Sequence, residues 1–228
     1  MTVLRAVVFD LDDTLYPERA YVRSGFRAVS VWAETHLAIP AAEGLARLEQ
    51  LFSSGVTSHT FDRWLACAGL DPGQHVAQLV EVYRAHEPDI EPYPGVPGLL
   101  ERLAPRYRLG LVSDGYAAVQ RRKLTALGLK RHFDSVVFSD DWGRRCWKPA
   151  PLPYRVTLER LAVQASESVY VADNPTKDFL GARRVGMRTV RLQDPRGIYG
   201  TLDPETADHA ADVDITTLAA LPATLQLL

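Results

Sequence analysis

The chain has 228 residues, of which 46% are hydrophobic and 24% are charged, and its formal net charge is −2. These values are ordinary for a globular protein, and they exclude the strongly basic composition that is typical of proteins that bind nucleic acid. No uninterrupted apolar run is long enough to cross a bilayer and the N-terminal residues lead directly into a predicted strand, so we expect neither a membrane span nor a signal peptide.

Short apolar runs along the chain are predicted to form a parallel β-sheet. They are rich in valine, nearly continuous in hydrophobicity and separated by segments of helical periodicity, which is typical of a sheet covered on both faces. The predicted strands are Leu4–Phe9, Arg108–Val112, Ser135–Phe138, Ser168–Ala172 and Arg188–Leu192. The helices predicted between the later strands are Val96–Leu103, Ala117–Leu127, Tyr154–Leu161 and Phe179–Val185. This alternation predicts a doubly wound, Rossmann-like α/β fold.

The alternation is interrupted between residues 16 and 92, where no convincing strand is found. Amphipathic helices are predicted there instead, near Arg19–His36, Ala41–Leu51, Thr60–Ala68 and Gln74–His86. We therefore predict an all-helical cap domain at residues 16–92. It is inserted directly after the first strand of a catalytic core made of residues 1–15 and 93–228, and it could cover the carboxyl edge of the sheet.

Polar side chains follow several predicted strands at the points where the strands end. In chain order they are Asp10, Asp12, Asp13, Thr14, Ser113, Asp114, Asp173 and Asp178, and a loop beyond the third strand carries Lys148. Ligands of an open parallel sheet bind just beyond the carboxyl ends of its strands. We therefore expect carboxylates, a hydroxyl and an ammonium from distant parts of the chain to converge on one edge of the sheet.

These segments resemble the motifs of the haloacid dehalogenase superfamily, in the branch with a helical cap after the first strand. The pieces are DLDDT at Asp10–Thr14, Ser113 in LVSDG, Lys148 in KPAP, and VADNPTKD at Val171–Asp178. The resemblance implies a phosphatase that uses Mg²⁺. Asp10 would bind the metal through one oxygen and attack phosphorus with the other, which forms an aspartyl-phosphate.

The resemblance also assigns the remaining metal ligands and phosphate contacts. Asp173 is expected to bind the metal directly, Asp178 to bind it directly or through water, and Asp12 to bind it through its backbone carbonyl. Ser113 and nearby backbone N–H groups, including that of Asp114, are expected to hold the phosphoryl oxygens. Lys148 would neutralise charge between Asp10 and the phosphate, a role that suits a compact ammonium.

Asp12 also indicates the class of reaction. It lies two residues beyond Asp10 and could protonate the leaving oxygen as a general acid, then activate water for hydrolysis of the acyl-phosphate. Dehalogenases of the superfamily place no acid here because a halide needs no proton. Asp12 therefore favours phosphoryl transfer.

Other polar residues of these loops have simpler interpretations. A capping or turn role is preferred for the side chains of Asp13 and Asp114, and capping is as plausible as a phosphate-loop role for Thr14. Lys177 and the pair Asp140-Asp141 are interpreted as ordinary surface charges.

The two cysteines, Cys67 and Cys146, lack the spacing or the neighbouring histidine of a metal or redox site. Two thiols without secretory features are typical of a reducing compartment. We therefore expect a cytoplasmic protein.

The predicted substrate is a small phosphorylated metabolite, because a cap of this size usually closes over small substrates. Sugar phosphates, nucleoside monophosphates, phosphoglycolate and amino-alcohol phosphates all remain open, as does the oligomeric state. A sugar phosphomutase that uses the same site is the second interpretation. A phospho-acceptor signalling module or a catalytically silent metabolite-binding protein is the third.

Overall fold

The computed structural model describes residues 3–228, in which the chain forms two units. The first comprises the described residues up to Arg19 together with Glu91–Leu228, and the second is Ala20–Ile90. The segment predicted to be a helical cap, residues 16–92, overlaps the second unit. Its role as a cap stays a prediction.

The first unit contains a six-stranded, fully parallel sheet with the strand order β3-β2-β1-β4-β5-β6. The strands are β1 (Ala6–Phe9), β2 (Arg108–Ser113), β3 (Ser135–Phe138), β4 (Ser168–Ala172), β5 (Arg188–Leu192) and β6 (Val213–Ile215). The prediction of a doubly wound α/β fold is confirmed. The edge strand β6 was not predicted, because its three residues alternate between apolar and polar and form no continuous apolar run.

The strand β1 lies at the centre of the sheet, between β2 and β4. All four of its side chains are fully buried, as expected for a central strand that is covered on both faces. Phe9 is in register with Leu111 of β2 and with Val171 of β4. The residues that follow these positions therefore emerge together at the carboxyl edge of the sheet.

The helices of the first unit pack around this sheet. They are α5 (Val96–Leu103), α6 (Ala117–Ala126), α7 (Leu152–Leu161), α8 (Asp178–Val185) and α9 (Leu221–Thr224). The helix α8 ends at Gly186, whose φ of 92° lies in the left-handed region that a C-terminal cap requires and that glycine adopts readily.

A glycine allows α8 to approach the loop that carries Lys148. A Cβ placed on Gly181 would lie 2.5 Å from the carbonyl oxygen of Pro149 and 2.7 Å from the Tyr154 ring. Only a residue without a side chain fits this contact. The close approach sets the spacing between Lys148, which precedes Pro149, and Asp178, which begins α8.

The helices between residues 18 and 85 are α1 (Glu18–Leu37), α2 (Ala41–Ser53), α3 (Thr60–Cys67) and α4 (Pro72–Ala85). Within the second unit they bury an apolar cluster that includes Phe26, Val29, Leu48, Trp64 and Leu79. The helix α4 begins at Pro72, two residues before the predicted start at Gln74, and the Asp71 carboxylate caps it by accepting a hydrogen bond from Gly73 N. Across residues 3–228, no helix combines the length and apolar character of a membrane span.

Candidate active site

Three carboxylates converge at the carboxyl edge of the sheet. Asp10 directly follows β1 and keeps its strand hydrogen bond, with its N donating to Val171 O at 2.9 Å. Asp173 directly follows β4, and Asp178 is the first residue of α8. All three are buried, and each offers a carboxylate oxygen within 4.8 Å of the others. Four residues were predicted from the sequence to bind a metal. The structure brings together the carboxylates of three of them, Asp10, Asp173 and Asp178.

The Lys148 ammonium links two of these carboxylates. Its Nζ lies 2.6 Å from Asp10 Oδ1 and 2.6 Å from Asp178 Oδ1, and it also donates to the Tyr170 hydroxyl at 3.0 Å. Burial alone would lower the pKa of Lys148, but the Asp10 and Asp178 carboxylates raise it well above its usual value. Lys148 is therefore charged at this position, and it offsets part of the buried negative charge.

The remaining negative charge of the cluster fits a hard cation. Asp173 Oδ1 accepts a hydrogen bond from Thr14 Oγ1 at 3.3 Å, but the buried Oδ2 finds no hydrogen-bond partner among residues 3–228. Burial, and then the neighbouring Asp178 and Asp10 carboxylates, raise the pKa of Asp173 well above its usual value. Burial also raises the pKa of Asp10 to about 7, against the opposing effect of Lys148. A divalent cation that prefers oxygen ligands would supply the missing charge and a partner for Asp173.

Hydrogen bonds close the loop that connects Asp173 to Asp178. Asn174 N donates to Asp178 Oδ2 at 3.0 Å, and the Tyr154 hydroxyl donates to the Asp178 carbonyl at 2.6 Å. Thr176 N and Oγ1 both donate to Asn174 Oδ1. The start of α8 is therefore held in place on both sides. The role of Tyr154 is not predictable from the sequence, because Tyr154 contacts Asp178 from another helix.

Ser113 is the last residue of β2 and Asp114 directly follows it, but their side chains have different surroundings. Ser113 Oγ accepts a hydrogen bond from Gln120 Nε2 at 2.6 Å, which leaves the serine hydroxyl proton available to donate. The Asp114 carboxylate accepts from Ser139 Oγ at 2.5 Å and from Lys148 N at 3.1 Å. The side chain of Asp114 thus anchors the loop that carries Lys148, and a phosphate contact from its backbone N–H stays a prediction.

Asp12 is surrounded by hydrogen-bond donors that the sequence analysis did not predict. Lys123 Nζ lies 2.6 Å from Asp12 Oδ1, Gln120 Nε2 lies 2.7 Å from Oδ2, and the Tyr16 hydroxyl also donates to Oδ1. Burial alone would raise the pKa of Asp12, but the Lys123 ammonium and these hydrogen bonds lower it. The hydrogen-bond partners of the Asp12 carboxylate are Lys123, Gln120 and Tyr16, and not the residues that surround the three-carboxylate cluster. This agrees with a role other than metal binding for the Asp12 side chain.

The sequence model of the haloacid dehalogenase-like hydrolase family matches residues 7–192, which include every residue of the sheet edge described above. The chain belongs to this family. A glyceraldehyde 3-phosphate phosphatase of Methanopyrus kandleri is 35% identical over 93% of each chain. A phosphoserine phosphatase of Thermus thermophilus is 30% identical over 96% of this chain and 90% of the relative. These phosphatases confirm the expectation that the chain is a phosphoric monoester hydrolase.

A dehalogenase shares the fold of this haloacid dehalogenase-like hydrolase. The crystal structure of a 2-haloacid dehalogenase from Pseudomonas syringae pv. Tomato DC3000 is 27% identical, with a TM-score of 0.68 over 99% of each chain. The fold alone therefore does not separate phosphatases from dehalogenases. The phosphatase relatives agree with the reaction class that Asp12 indicates.

A loop beyond β5 is tied to the site by two buried residues. As expected for a turn residue, Asp13 accepts hydrogen bonds from the backbone N–H of Glu18 at 2.8 Å and of Ile198 at 2.7 Å. Arg191 is buried and donates to the Asp173 carbonyl at 3.2 Å and to the Leu202 carbonyl at 2.6 Å. Arg191 therefore places positive charge directly behind a predicted metal ligand.

Two residues that were interpreted as surface charges are part of the site's surroundings. Lys177 is half-buried beside Asp178, and the carboxylates of Asp178 and Asp10 raise its pKa despite the opposing effect of burial. Asp140 accepts hydrogen bonds from Ala117 N and from Trp147 Nε1, both at 3.0 Å. The interpretation of these two residues as surface charges is wrong, because both lie against the loops of the sheet edge.

Proposed function

We propose that the chain is a Mg²⁺-dependent phosphatase that hydrolyses a small organic phosphomonoester through an aspartyl-phosphate on Asp10. The observation that carries the proposal is the buried cluster of Asp10, Asp173 and Asp178, whose carboxylate oxygens lie within 4.8 Å of one another. Lys148 Nζ lies 2.6 Å from the Asp10 carboxylate. A carboxylate next to an ammonium and a cation site is able to attack an anionic phosphate, because the positive charge reduces their repulsion.

The carboxylates of Asp10, Asp173 and Asp178, with the backbone carbonyl of Asp12, would hold the Mg²⁺. When bound, the ion supplies positive charge to the phosphoryl oxygens. The orphaned Oδ2 of Asp173 supports this assignment, because it is a buried acceptor without a donor among the described residues. The all-oxygen donor set is the one that Mg²⁺ prefers.

Three further side chains would act directly in phosphate transfer. Lys148 engages Asp10 Oδ1, so Oδ2 is the oxygen left to attack phosphorus. The Ser113 hydroxyl, which already accepts from Gln120, donates its own proton to a phosphoryl oxygen. Attack by Asp10 breaks the ester P–O bond, and Asp12 gives its proton to the leaving oxygen.

Hydrolysis of the acyl-phosphate restores the enzyme. Asp12, now a carboxylate, takes a proton from water, the water oxygen attacks phosphorus, and the bond to Asp10 breaks. Phosphate leaves, and Asp12 holds a proton again. The arriving phosphate favours the protonated form of Asp12 at the start of this cycle, because a nearby negative charge opposes ionisation of a carboxyl.

The substrate class follows from the relatives. Their names specify glyceraldehyde 3-phosphate, phosphoserine and phosphoglycolate as substrates of those proteins. These three are small phosphomonoesters of two or three carbons, whereas a further relative is named a ribulose-1,5-bisphosphate 5-phosphatase. We propose that the substrate of this chain belongs to the same size class, and we place these three compounds first in a substrate panel.

The test is phosphate release from this panel with Mg²⁺ or with EDTA. We expect release only with Mg²⁺, and we expect Asp10→Asn to lower kcat by at least about 1,000-fold. Asp141→Asn is the matched control, because Asp141 forms an exposed ion pair with Arg121 and should keep full activity. Full activity of Asp10→Asn, or an unchanged rate in EDTA, would overturn the proposal. Isomerised sugar phosphate without free phosphate would indicate a phosphomutase instead.

The proposed intermediate is tested by trapping. Asp12→Asn removes the base for the second step, so with p-nitrophenyl phosphate, whose leaving group needs little help from an acid, the acyl-phosphate should accumulate and appear by mass spectrometry as a phosphoryl adduct on the Asp10 peptide. An adduct on any other residue would contradict the assignment of Asp10 as the nucleophile.

We also propose that the helical segment at residues 16–92 acts as a cap that sets substrate choice. Amide hydrogen exchange tests this proposal with Mg²⁺ and orthovanadate, an analogue of the transferred phosphoryl group. Increased protection of amides within residues 20–90 on addition of orthovanadate would support a cap. Unchanged exchange in that unit, with increased protection around Asp10 in the same experiment, would contradict it.

A further inference from the structure

The helix α6 presents two buried polar side chains to Asp12. The side chain of Lys123 is only 5% exposed, and its Nζ lies 2.6 Å from Asp12 Oδ1. Gln120 is 1% exposed, and its Nε2 lies 2.7 Å from Asp12 Oδ2. Residues three apart share one face of a helix, so a single face of α6 contacts both carboxylate oxygens.

Gln120 connects Asp12 to Ser113. The same Nε2 that donates to Asp12 also donates to Ser113 Oγ at 2.6 Å, so both amide hydrogens are used. Gly115 lies beside this arrangement, and its φ of 113° is a backbone conformation that favours glycine. One amide group therefore sets the distance between the residue proposed to protonate the leaving oxygen and the hydroxyl proposed to hold the phosphate.

Tyr16 contacts Asp12 from another side. It is fully buried, its hydroxyl donates to Asp12 Oδ1, and its backbone forms an isolated bridge with Asp12. With donors on both carboxylate oxygens, Asp12 is held in one rotamer. Without these donors, a carboxylate in a loop would be free to rotate between several rotamers and to hydrogen-bond to water.

We propose that Lys123 and Gln120 are positioning residues that hold the Asp12 carboxyl in the orientation from which it transfers protons to and from the phosphate ester. The proposal rests on the proposed function, in which Asp12 is the acid and base. Proton transfer requires the carboxyl to lie within hydrogen-bond reach of the leaving oxygen, and a displacement of about 1 Å can cost about 100-fold in rate.

The alternative is that Lys123 serves only the stability of the fold. Replacing one partner of a buried ion pair changes stability in either case, so stability alone does not distinguish the two roles. The basicity of the leaving group does distinguish them. An alkoxide leaves well only with a proton from Asp12, whereas p-nitrophenolate is a weak base and needs little help.

The experiment compares kcat/KM for glyceraldehyde 3-phosphate and for p-nitrophenyl phosphate, because kcat/KM reports the step in which the leaving group departs. The variants are Lys123→Met and Gln120→Leu. We expect each to lower kcat/KM by about 100-fold for the alkyl phosphate and by less than about 10-fold for p-nitrophenyl phosphate. Lys130→Met is the matched control, since Lys130 is exposed, and it should leave both values unchanged.

Asp12→Asn and the double variant Asp12→Asn/Lys123→Met complete the design. If Lys123 acts through Asp12, the double variant is no slower than Asp12→Asn with either substrate. The positioning role would be overturned if Lys123→Met and Gln120→Leu lowered kcat/KM equally for both substrates, or if neither variant lowered it. If Lys123→Met and Gln120→Leu do not show the leaving-group dependence but Asp12→Asn does, only this inference is wrong. If Asp12→Asn itself shows no such dependence, the acid assigned in the proposed function is wrong as well.

Discussion

Lys148 Nζ lies 2.6 Å from Asp10 Oδ1, although 138 positions separate the two residues in the sequence. The ammonium bonds Asp178 at the same distance, so one cation holds together the end of β1 and the start of α8. Neither carboxylate is exposed enough for water to replace this contact. Lys148 therefore contributes both to the stability of the site and to the reactivity of the proposed nucleophile.

The first prediction concerns removal of this ammonium. Lys148→Met leaves two buried carboxylates unpaired, so we expect a loss of about 3–5 kcal/mol in the free energy of unfolding without metal. We expect a smaller loss with Mg²⁺, because the ion offsets part of the uncovered charge. Urea unfolding with EDTA or with Mg²⁺ measures both values. Phosphate release should fall by at least about 100-fold.

Lys130→Met serves as the control, because it removes an exposed lysine from the same unit. Equal stability of Lys148→Met and Lys130→Met in EDTA would show that the contacts of Lys148 do not contribute to stability.

The second prediction concerns the pH dependence of stability in EDTA. The pKa of Asp173 is raised in the folded protein, so the folded state holds a proton more strongly than the unfolded state. The resulting stability is present at low pH and is lost as the pH rises from the usual carboxyl value of 3.8 through the raised pKa. Asp173→Asn removes this loss. Its Tm in EDTA should therefore exceed that of the unmodified protein by at least about 2 °C at pH 8.

The pH series supplies the check on this second prediction. The difference in Tm should shrink as the pH falls, because the raised pKa lets Asp173 take up a proton more readily in the folded protein than in the unfolded chain. Mg²⁺ should raise the Tm of the unmodified protein but not that of Asp173→Asn. A Tm for Asp173→Asn that is lower than that of the unmodified protein at every pH would contradict the assignment of an uncompensated charge.

The central part of the fold was predictable because its strands are short, continuous apolar runs. Residues 6–9 are buried on both faces, and accordingly all four of them, Ala-Val-Val-Phe, are apolar. The edge strand Val213–Ile215 has one face open and includes the exposed Asp214, so its pattern does not differ from that of a loop. Edge strands of this length carry too little hydrophobic signal for prediction.

The partners of Asp12 show where prediction of the site from sequence stops. Asp10 and Asp173 follow apolar strands, and topology alone predicts that they meet. Gln120 and Lys123 reach Asp12 from a helix, across 108 and 111 positions. The spacing of two polar residues on a helix also fits a solvated face, and only the packing of α6 shows that they are buried.

The third prediction concerns Asp114, whose carboxylate accepts from Ser139 Oγ and from Lys148 N. Asp114→Ala removes both acceptors, so the loop before Lys148 loses its anchor and a buried N–H is left without a partner. We expect a loss of about 1–3 kcal/mol in the free energy of unfolding and a drop of about 10-fold or more in kcat. Asp114→Asn keeps one acceptor oxygen and should lie between Asp114→Ala and the unmodified protein.

Thermal unfolding and phosphate release, measured on the same preparations, test this order. If Asp114→Ala keeps the activity and the Tm of the unmodified protein, the Asp114 carboxylate does not anchor the Lys148 loop.

The fourth prediction concerns Gly181 and its contact with Pro149. A methyl group at this position would lie 2.5 Å from the Pro149 carbonyl oxygen, which is backbone and has little freedom to move. Gly181→Ala should therefore lower the free energy of unfolding by about 1–3 kcal/mol. It should also shift α8 relative to the Lys148 loop, which changes the spacing of Asp178 and Lys148 and lowers kcat.

Gly98→Ala is the matched control, because Gly98 is also helical and a Cβ on it would meet only the end of the Arg102 side chain, at 3.7 Å. In a helix interior, alanine is favoured over glycine by about 0.5–1 kcal/mol, so Gly98→Ala should be neutral or stabilising and fully active. If urea unfolding shows that Gly181→Ala lowers the free energy of unfolding while Gly98→Ala raises it, the contact with Pro149, and not helix propensity, determines the effect of the substitution at position 181. A stabilising Gly181→Ala would mean that α8 has room to move away from the loop without affecting the site.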